Sequence, residues 1–356
     1  MAKSDNDSAR VTLRQICNLG LPASVLLPSL LPALRAVVAA DHAAFFFCDP
    51  KGQMINMYAE RMLPPGEMAE YYENHYHAAS SHFSNAYLRL AAAPDPVSCR
   101  TVSASERDTP YYKEVLSRLD VEHIMYAIVR APTAAREPIG QLSLYRSLES
   151  KAFNKKDAEK LREVLHYLSP VLSVSKHGPV TLTANQIAEE AIVVLDSQGN
   201  VLFADAAWSR LIRLARGETI SPAKAKTEGK GLDEFLRGVM MASAAGKNTI
   251  HLVDSPWGKF AFRIYDLDGI KGSRATALKI SRLSVDTVRL TEGAARLSLS
   301  AQQREVAVMM ASGLSNGEIA EQLGISINTA GYHTKQLFAK LGVHQRSEVA
   351  NLLRHA

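Results

Sequence analysis

Two segments of the chain share one pattern of hydrophobic and polar positions. In Phe45–Ala59 and Ile192–Ala206, an apolar run leads into Asp-x-x-Gly, and a second apolar run follows. An aspartate side chain accepts hydrogen bonds from backbone amides just after it, and glycine tolerates the positive φ of a reversal. The pattern therefore predicts two β-hairpins, whose turns contain Asp49 with Gly52 and Asp196 with Gly199.

Other periodic segments extend both hairpins into domains. Amphipathic stretches at 25–40 and 183–190 precede the hairpins and are interpreted as helices, and a further helix is predicted over 154–174, capped by Asn154. Strands are predicted at 124–130 and 139–145 in the first half and at 249–253, 259–265 and 276–280 in the second. We predict two α+β domains with antiparallel sheets, at 12–175 and 181–283, joined by a Gly-Pro linker.

Length and composition exclude several classes of protein. The 356 residues are 47% hydrophobic and 22% charged, which is ordinary globular usage and argues against a disordered, collagen-like or coiled-coil protein. Three cysteines without a CxxC pair predict neither a disulfide framework nor a zinc module. The apolar run 21–40 contains three prolines and an arginine, so a membrane span is not expected. We expect a cytoplasmic protein without a membrane partner.

The last sixty residues contain explicit helix start and stop signals. Ser300 with Gln303 and Ser315 with Glu318 have capping-box spacing, and Ser326 precedes a longer helix. Glycines 313, 324 and 342 follow the ends of successive helices. The pattern predicts an all-α unit of four helices at 297–356, reached through a helical connector at 284–296. Two short-linked helices with glycine in the turn are typical of helix-turn-helix DNA-binding proteins.

The third of these helices has two predicted faces. Ala330, His333, Leu337 and Phe338 fit an inward stripe, which leaves a polar face toward solvent or DNA, formed by Asn328, Tyr332, Lys335 and Gln336. Lysine and glutamine side chains can pair with guanine and adenine edges, respectively.

This segment resembles the LuxR-type DNA-binding domain over about one sixth of the chain. The matching motifs are Gly313-Leu314-Ser315-Asn316, Glu318-Ile319-Ala320, Ile325-Ser326, and Lys340-Leu341-Gly342-Val343 with Arg346. The resemblance implies transcription regulation and binding to double-stranded DNA as a homodimer. The last helix would form the contact between the two protomers. By position, it implies base reading at Gly331, Tyr332 and Lys335 and phosphate contacts at Asn328, Thr329 and Lys340. The predicted DNA-binding set is Ser326, Asn328, Thr329, Gly331, Tyr332, His333, Lys335, Gln336 and Lys340.

The segment departs from the family pattern at two places. Gln302-Gln303 stands where the family has an Arg-Glu pair, which implies the loss of a salt bridge inside the domain. Gly331 stands where the family has a basic residue, which removes a DNA contact. A mid-helix glycine also costs about 1 kcal/mol relative to alanine.

The upstream domains resemble sensor modules by pattern rather than by motif. The second, 181–283, resembles a PAS domain, and the first, 12–175, is similar to a GAF domain. Its size also suits the autoinducer-binding domain of quorum-sensing LuxR regulators, with Tyr71-Tyr72 as a faint match. Such folds imply a small-molecule ligand or a dimerisation role.

No cofactor or metal is predicted in these domains. His251 is a lone histidine on a strand, and the group His75, His77 and His82 lacks the geometry of one metal site, because His75 and His82 would lie about 10.5 Å apart along a helix. Cys48 is interpreted as a small buried residue.

The sequence contains no GxSxG, P-loop, HExxH or dinucleotide motif, so we do not expect an enzyme. A signal-controlled LuxR-type regulator is the main hypothesis. The alternative is a small-molecule-binding protein that acts through protein partners and has a degenerate DNA-binding head.

Overall fold

A computed structural model describes most of the chain. It covers residues 2–49, 51–52, 54–62, 82–173, 186–197, 199–217, 234–241, 250–255, 257–268 and 274–356. Tyr71-Tyr72, His75 and His77 lie outside these residues, as does most of the predicted linker.

The first domain is a five-stranded antiparallel sheet with helices on both sides. The strand order is β2-β1-β5-β4-β3. Its elements are α1 (Ala2–Cys17), α2 (Ala23–Val38), β1 (His42–Cys48), β2 (Met54–Ala59), α3 (His82–Ala92), β3 (Val97–Thr101), α4 (Ala104–Arg107), a π-helical segment (Tyr112–Leu116), β4 (His123–Arg130), β5 (Pro138–Arg146) and α5 (Lys155–Ser173). Helix α1 extends ahead of the predicted domain start at residue 12.

Strand β1 is buried at every position because both faces of its sheet are covered. Side chains alternate across a strand, so Phe45 and Phe47 pack into the core that contains α1, α2 and α5. Phe46 and Cys48 pack into a second core on the opposite face, with Tyr87. The predicted Asp49 turn forms, with Lys51 N donating to Asp49 Oδ1 at 2.9 Å.

The second domain has the same strand order in its own antiparallel sheet, β7-β6-β10-β9-β8. Its elements are β6 (Gln186–Asp196), β7 (Val201–Ala204), α6 (Trp208–Arg216), a helical segment at 234–241, β8 (His251–Ser255), β9 (Gly258–Asp268) and β10 (Arg274–Ser284). The predicted Asp196 turn forms here too, with Asn200 N donating to Asp196 Oδ1 at 2.8 Å. Two α+β domains with antiparallel sheets were predicted, and that fold class is confirmed.

The predicted helix over 183–190 is wrong where the structure describes it. Residues from Gln186 onward form the start of β6 and pair with β10, with Glu190 opposite Ser281 and Gln186 opposite Ser284. The eight-residue amphipathic segment is too short to favour a helix strongly by itself. Pairing along an eleven-residue neighbouring strand supplies backbone hydrogen bonds that the local pattern does not reveal.

The two sheet domains share apolar and polar contacts. The Trp257 ring lies 6.0 Å from Tyr58 and 6.4 Å from Phe47, measured between ring centroids. Arg210 of α6 donates to the Glu60 carbonyl at 2.8 Å and pairs with Glu189 at 2.8 Å. The second domain therefore packs directly onto the first.

The C-terminal part is entirely helical. It contains α7 (Asp286–Arg296), α8 (Ala301–Ala311), α9 (Asn316–Leu323), α10 (Ile327–Leu341) and α11 (Arg346–His355). Helix α7, predicted as a connector, contributes Leu290 and Ala294 to the same core as Val306, Ile319 and Leu337. Gly293 of α7 meets the α11 backbone, because a Cβ built there would lie 1.8 Å from the Leu353 carbonyl oxygen.

Helix α1 contacts this helical unit. The buried Arg304 guanidinium of α8 donates to Ser8 Oγ at 2.7 Å and to Thr12 Oγ1 at 3.2 Å. Gln15 Nε2 donates to the Ala301 carbonyl at 3.2 Å. The first helix of the chain is thus held against the first helix of the predicted DNA-binding unit.

Candidate nucleic-acid interface

Side-chain caps fix where the C-terminal helices begin. Ser300 Oγ accepts from Gln303 N at 3.3 Å while Gln303 Oε1 accepts from Ser300 N at 3.0 Å, and Ser315 and Glu318 repeat this reciprocal arrangement. The bonds from Ser315 lower the pKa of the Glu318 carboxyl. Ser326 Oγ accepts from Thr329 N at 3.1 Å and so sets the start of α10.

Glycines in the left-handed backbone conformation end two of these helices and set the direction in which the chain leaves each one. Gly324 closes α9 with φ +63°, and Gly342 closes α10 with φ +67°. L-residues with a side chain rarely adopt this conformation, so both positions favour glycine. Only two residues, Ile325 and the capping Ser326, separate Gly324 from α10, so α9 and α10 form a tightly linked pair.

A polar cluster holds α10 against the helix before it. Thr334 Oγ1 donates to Asn316 Oδ1 at 3.2 Å and to the Ala330 carbonyl at 3.0 Å. Arg346 donates to the same Asn316 oxygen and to the Leu314 carbonyl. Asn316 therefore joins three helices, and its position fixes the orientation of α10.

The inward face of α10 differs from the prediction at one position. Ala330, Thr334 and Leu337 are buried, and Phe338 is half-buried. His333, predicted on this stripe, is also only half-buried, and its ring makes an edge contact with Tyr332 at 5.9 Å. Thr334 takes the buried position because its hydroxyl is satisfied by Asn316 and by its own helix, which a hydrophobic pattern does not reveal.

The outward face of α10 is polar and accessible. Asn328, Lys335 and Gln336 are exposed, and 57% of Tyr332 is accessible to solvent. Gln336 Nε2 donates to the Tyr332 hydroxyl, so these two side chains hold each other in place. Thr329 is half-buried beside its capping serine.

Residues 297–353 match the model of the bacterial regulatory proteins of the luxR family. This segment is a LuxR-type helix-turn-helix domain. The resemblance predicted from its glycine, serine and Lys-Leu-Gly-Val motifs is confirmed.

Two transcriptional regulators are similar to short stretches of this chain. The chain is 48% identical over 50 residues to the probable transcriptional regulatory protein SgaR of Hyphomicrobium methylovorum, covering 14% of this chain and 24% of that protein. It is 45% identical over 56 residues to the putative HTH-type transcriptional regulator YhjB of Escherichia coli, covering 16% and 28%. The chain thus spans about a quarter of the length of these relatives.

Among the solved structures that match this chain is one of a GAF domain. A phycoerythrobilin-bound GAF domain from a cyanobacterial phytochrome is 14% identical and covers 50% of this chain and 98% of that one, with a TM-score of 0.31.

The two departures from the LuxR-type pattern have visible structural outcomes. Gln303 occupies the capping-box position, and its Oε1 also accepts from Lys340 Nζ at 3.1 Å, so a hydrogen bond rather than a salt bridge joins α8 to α10. At Gly331 a built Cβ would meet only Asn316 Nδ2, at 3.9 Å. Packing therefore does not require glycine at this position.

The upstream candidates form no metal-binding group in the part of the chain that the structure describes. No group of three His, Cys, Asp or Glu residues there has metal-binding geometry. Cys48 is buried, and burial raises the pKa of its thiol. His251 lies on β8, half-buried. Within the described helices, none has the length and apolar character needed to cross a membrane.

Proposed function

We propose that this chain is a transcription regulator that binds double-stranded DNA with α10 in the major groove. The observation that carries the proposal is the outward face of α10, where polar side chains are exposed on a helix whose orientation Asn316 and Thr334 fix. A capped, braced helix presents side chains to base edges with little ordering cost on binding.

Each predicted site residue takes a role on this face. Lys335 reads guanine and Gln336 reads adenine, because their donors and acceptors match those base edges. Tyr332 packs beside them, and His333 supports its ring. Asn328, Thr329 and Lys340 lie at the backbone phosphates, with Ser326 fixing the helix start and Gly331 allowing close backbone approach.

We propose that a homodimer binds two half-sites. The LuxR-type segment, residues 297–356, contains five lysines and arginines and four acidic residues, so its electrostatic attraction to DNA is weak. In a dimer, once the LuxR-type segment (the head) of one protomer is bound to DNA, the effective concentration of the other head at its half-site rises. Ser347, Asn351 and His355 are exposed on one face of α11 and form the proposed contact between the heads.

The upstream domains supply control in this proposal. A GAF-like domain at 12–175 and a PAS-like domain at 181–283 sense a signal in the cytoplasm, and the connector at 284–296 passes it to the head at 297–356. The contact of α1 with Arg304 supports this, because a change in the first domain would alter how the head is held. A signal then shifts the population of head arrangements.

Selection from random double-stranded DNA by the purified full-length chain tests the proposal. The expected result is an enriched inverted repeat with half-sites about one helical turn apart, or a multiple of that spacing. Failure to enrich any sequence at moderate salt would overturn the DNA-binding function. Enrichment of a single half-site would overturn the dimer.

A further inference from the structure

An open groove of about 680 Å³ lies at one end of the first domain. Its walls are the end of β4, the loop that follows, and one side of α5. A volume in this range suits a small molecule. The residues that line the groove are Pro94, Pro96, Ile128–Thr133, Ala135, Arg136 and, on α5, Arg162, Leu165, His166 and Ser169.

Three arginines line the groove, and two of them give it a positive charge. Arg162 is neutralised by Asp95, with Nε to Oδ1 at 3.0 Å and a second bond at 2.6 Å. Arg130 instead donates to two backbone carbonyls, those of Ala91 and Arg136. Among the described residues, neither Arg130 nor Arg136 forms an ion pair, so two full positive charges remain uncompensated at the groove.

The backbone at Arg136 is held in an unfavourable conformation. Its φ is +48°, in the left-handed region that residues with a side chain rarely occupy. Its amide donates to the Thr133 carbonyl at 3.0 Å, and its carbonyl accepts from Arg130 at 3.2 Å. The loop thus fixes the backbone of Arg136 beside the Arg130 guanidinium, and such local strain is common where a ligand is held.

Much of the remaining wall of the groove is apolar. Val129, on the face of the sheet that packs against α5, is buried at its floor, and Leu165 is half-buried in its wall. The prolines add rigid apolar surface without a backbone donor. An apolar floor beside two fixed positive charges matches a ligand that has one anionic group on an apolar body.

We propose that this groove binds a small organic anion, with its carboxylate or phosphate at Arg130 and Arg136 and its apolar body over Val129 and Leu165. The site lies on α5, whose Glu163 pairs with Arg10 of α1 at 2.6 Å. A ligand bound in this groove can therefore affect α1, the helix that contacts Arg304. Only that last step rests on the proposed function.

Fluorine NMR of the full-length chain tests the site with three probes of similar shape. 4-Fluorobenzoate and 4-fluorophenyl phosphate carry the anion, and 4-fluorobenzamide is the neutral control. At millimolar concentration, line broadening is expected for at least one anion and not for the amide. The anion that binds more tightly identifies the ligand class as carboxylate or phosphate.

Variants of one exposed arginine localise the binding. Arg136→Gln is expected to weaken binding of that anion about fivefold or more, whereas Arg136→Lys retains most of it. Arg274→Gln removes another exposed arginine, at the hairpin between β9 and β10, and is expected to leave binding unchanged. Equal binding of the amide, no binding of either anion, or equal effects of Arg136→Gln and Arg274→Gln would overturn the proposal. Because no DNA is present, these results are independent of the DNA-binding function.

Discussion

Arg304 of the LuxR-type domain donates a 2.7 Å hydrogen bond to Ser8 Oγ, although the two residues are 296 positions apart. Arg304 is buried, and burial lowers the pKa of its guanidinium. A buried charge without hydrogen-bond partners is costly. The hydroxyls of Ser8 and Thr12 therefore stabilise the contact between the start of the chain and the head.

Removing both hydroxyls should loosen this contact. The double variant Ser8→Ala with Thr12→Val leaves part of the buried guanidinium unsatisfied, at a cost of about 1–3 kcal/mol per lost partner. We expect faster amide hydrogen exchange in α1 and α8 and little change in β1 or β10. Ser312→Ala, which removes a hydroxyl bonded only within its own helix, is the control. Unchanged exchange in α1 and α8 would contradict the role assigned to Arg304.

Gly331→Ala should stabilise α10. The built Cβ meets no atom closer than 3.9 Å, so the substitution gains helix propensity without a clash. The expected gain is up to about 1 kcal/mol. Hydrogen exchange of the amides of α10 in the full-length chain measures it as slower opening. Faster opening in this variant would show that glycine is required for packing after all.

Gly293→Ala should have the opposite effect. Here the new methyl group would collide with the Leu353 backbone, which a side-chain rotation cannot relieve. We expect α7 and α11 to separate, with a loss of about 1–3 kcal/mol or more. Gly317→Ala, where the nearest atom lies at 3.8 Å, is the matched control. Thermal unfolding of both variants checks the prediction, and equal melting temperatures would refute it.

His42 predicts a loss of stability in mild acid. Burial and the nearby Arg61 lower the pKa of its imidazole from 6.5 to about 4. Because the folded pKa is lower than the unfolded one, the unfolded chain binds a proton first as the pH falls. Stability from this group is full above about pH 6.5 and declines toward pH 4, by up to about 3 kcal/mol.

Urea unfolding at stepped pH measures this decline. His42→Phe keeps the stacking on Tyr145, whose ring centroid lies 4.8 Å away, and should flatten the profile between these pH values. His344→Gln, at an exposed position, should not. A profile that His42→Phe leaves unaltered would rule out this histidine as the cause.

Features of the fold could be predicted from the sequence when the interacting residues lie close together along the chain. The caps at Ser300, Ser315 and Ser326 involve residues three positions apart, so their spacing predicted the helix starts. The start of β6, residues 186–190, depends on a partner strand about one hundred positions away and was predicted as a helix instead. Likewise, nothing local to Arg304 indicates that its acceptors lie on α1.

The exposed face of α10 was easier to predict from the sequence than the contacts that hold the helix in place. The exposed residues of α10 follow from helical periodicity and from the family resemblance. Thr334 was missed because a hydrophobic pattern treats threonine as polar, whereas Asn316 satisfies its hydroxyl. Asn316 and Arg346 were noted as family matches, and the structure adds that they brace the helix.

The most direct test of the account is the specificity of the full-length chain for its selected DNA site. The ratio of Kd for a scrambled duplex to Kd for the selected one should be about a thousand or more. Lys335→Ala should lower this ratio by about 5- to 150-fold, because a lost base contact costs about 1–3 kcal/mol. Lys156→Ala, an exposed lysine on α5, should leave it unchanged. A ratio near one for the unmodified chain would contradict the proposal that α10 reads the DNA sequence. A ratio that Lys335→Ala leaves unchanged would contradict it as well.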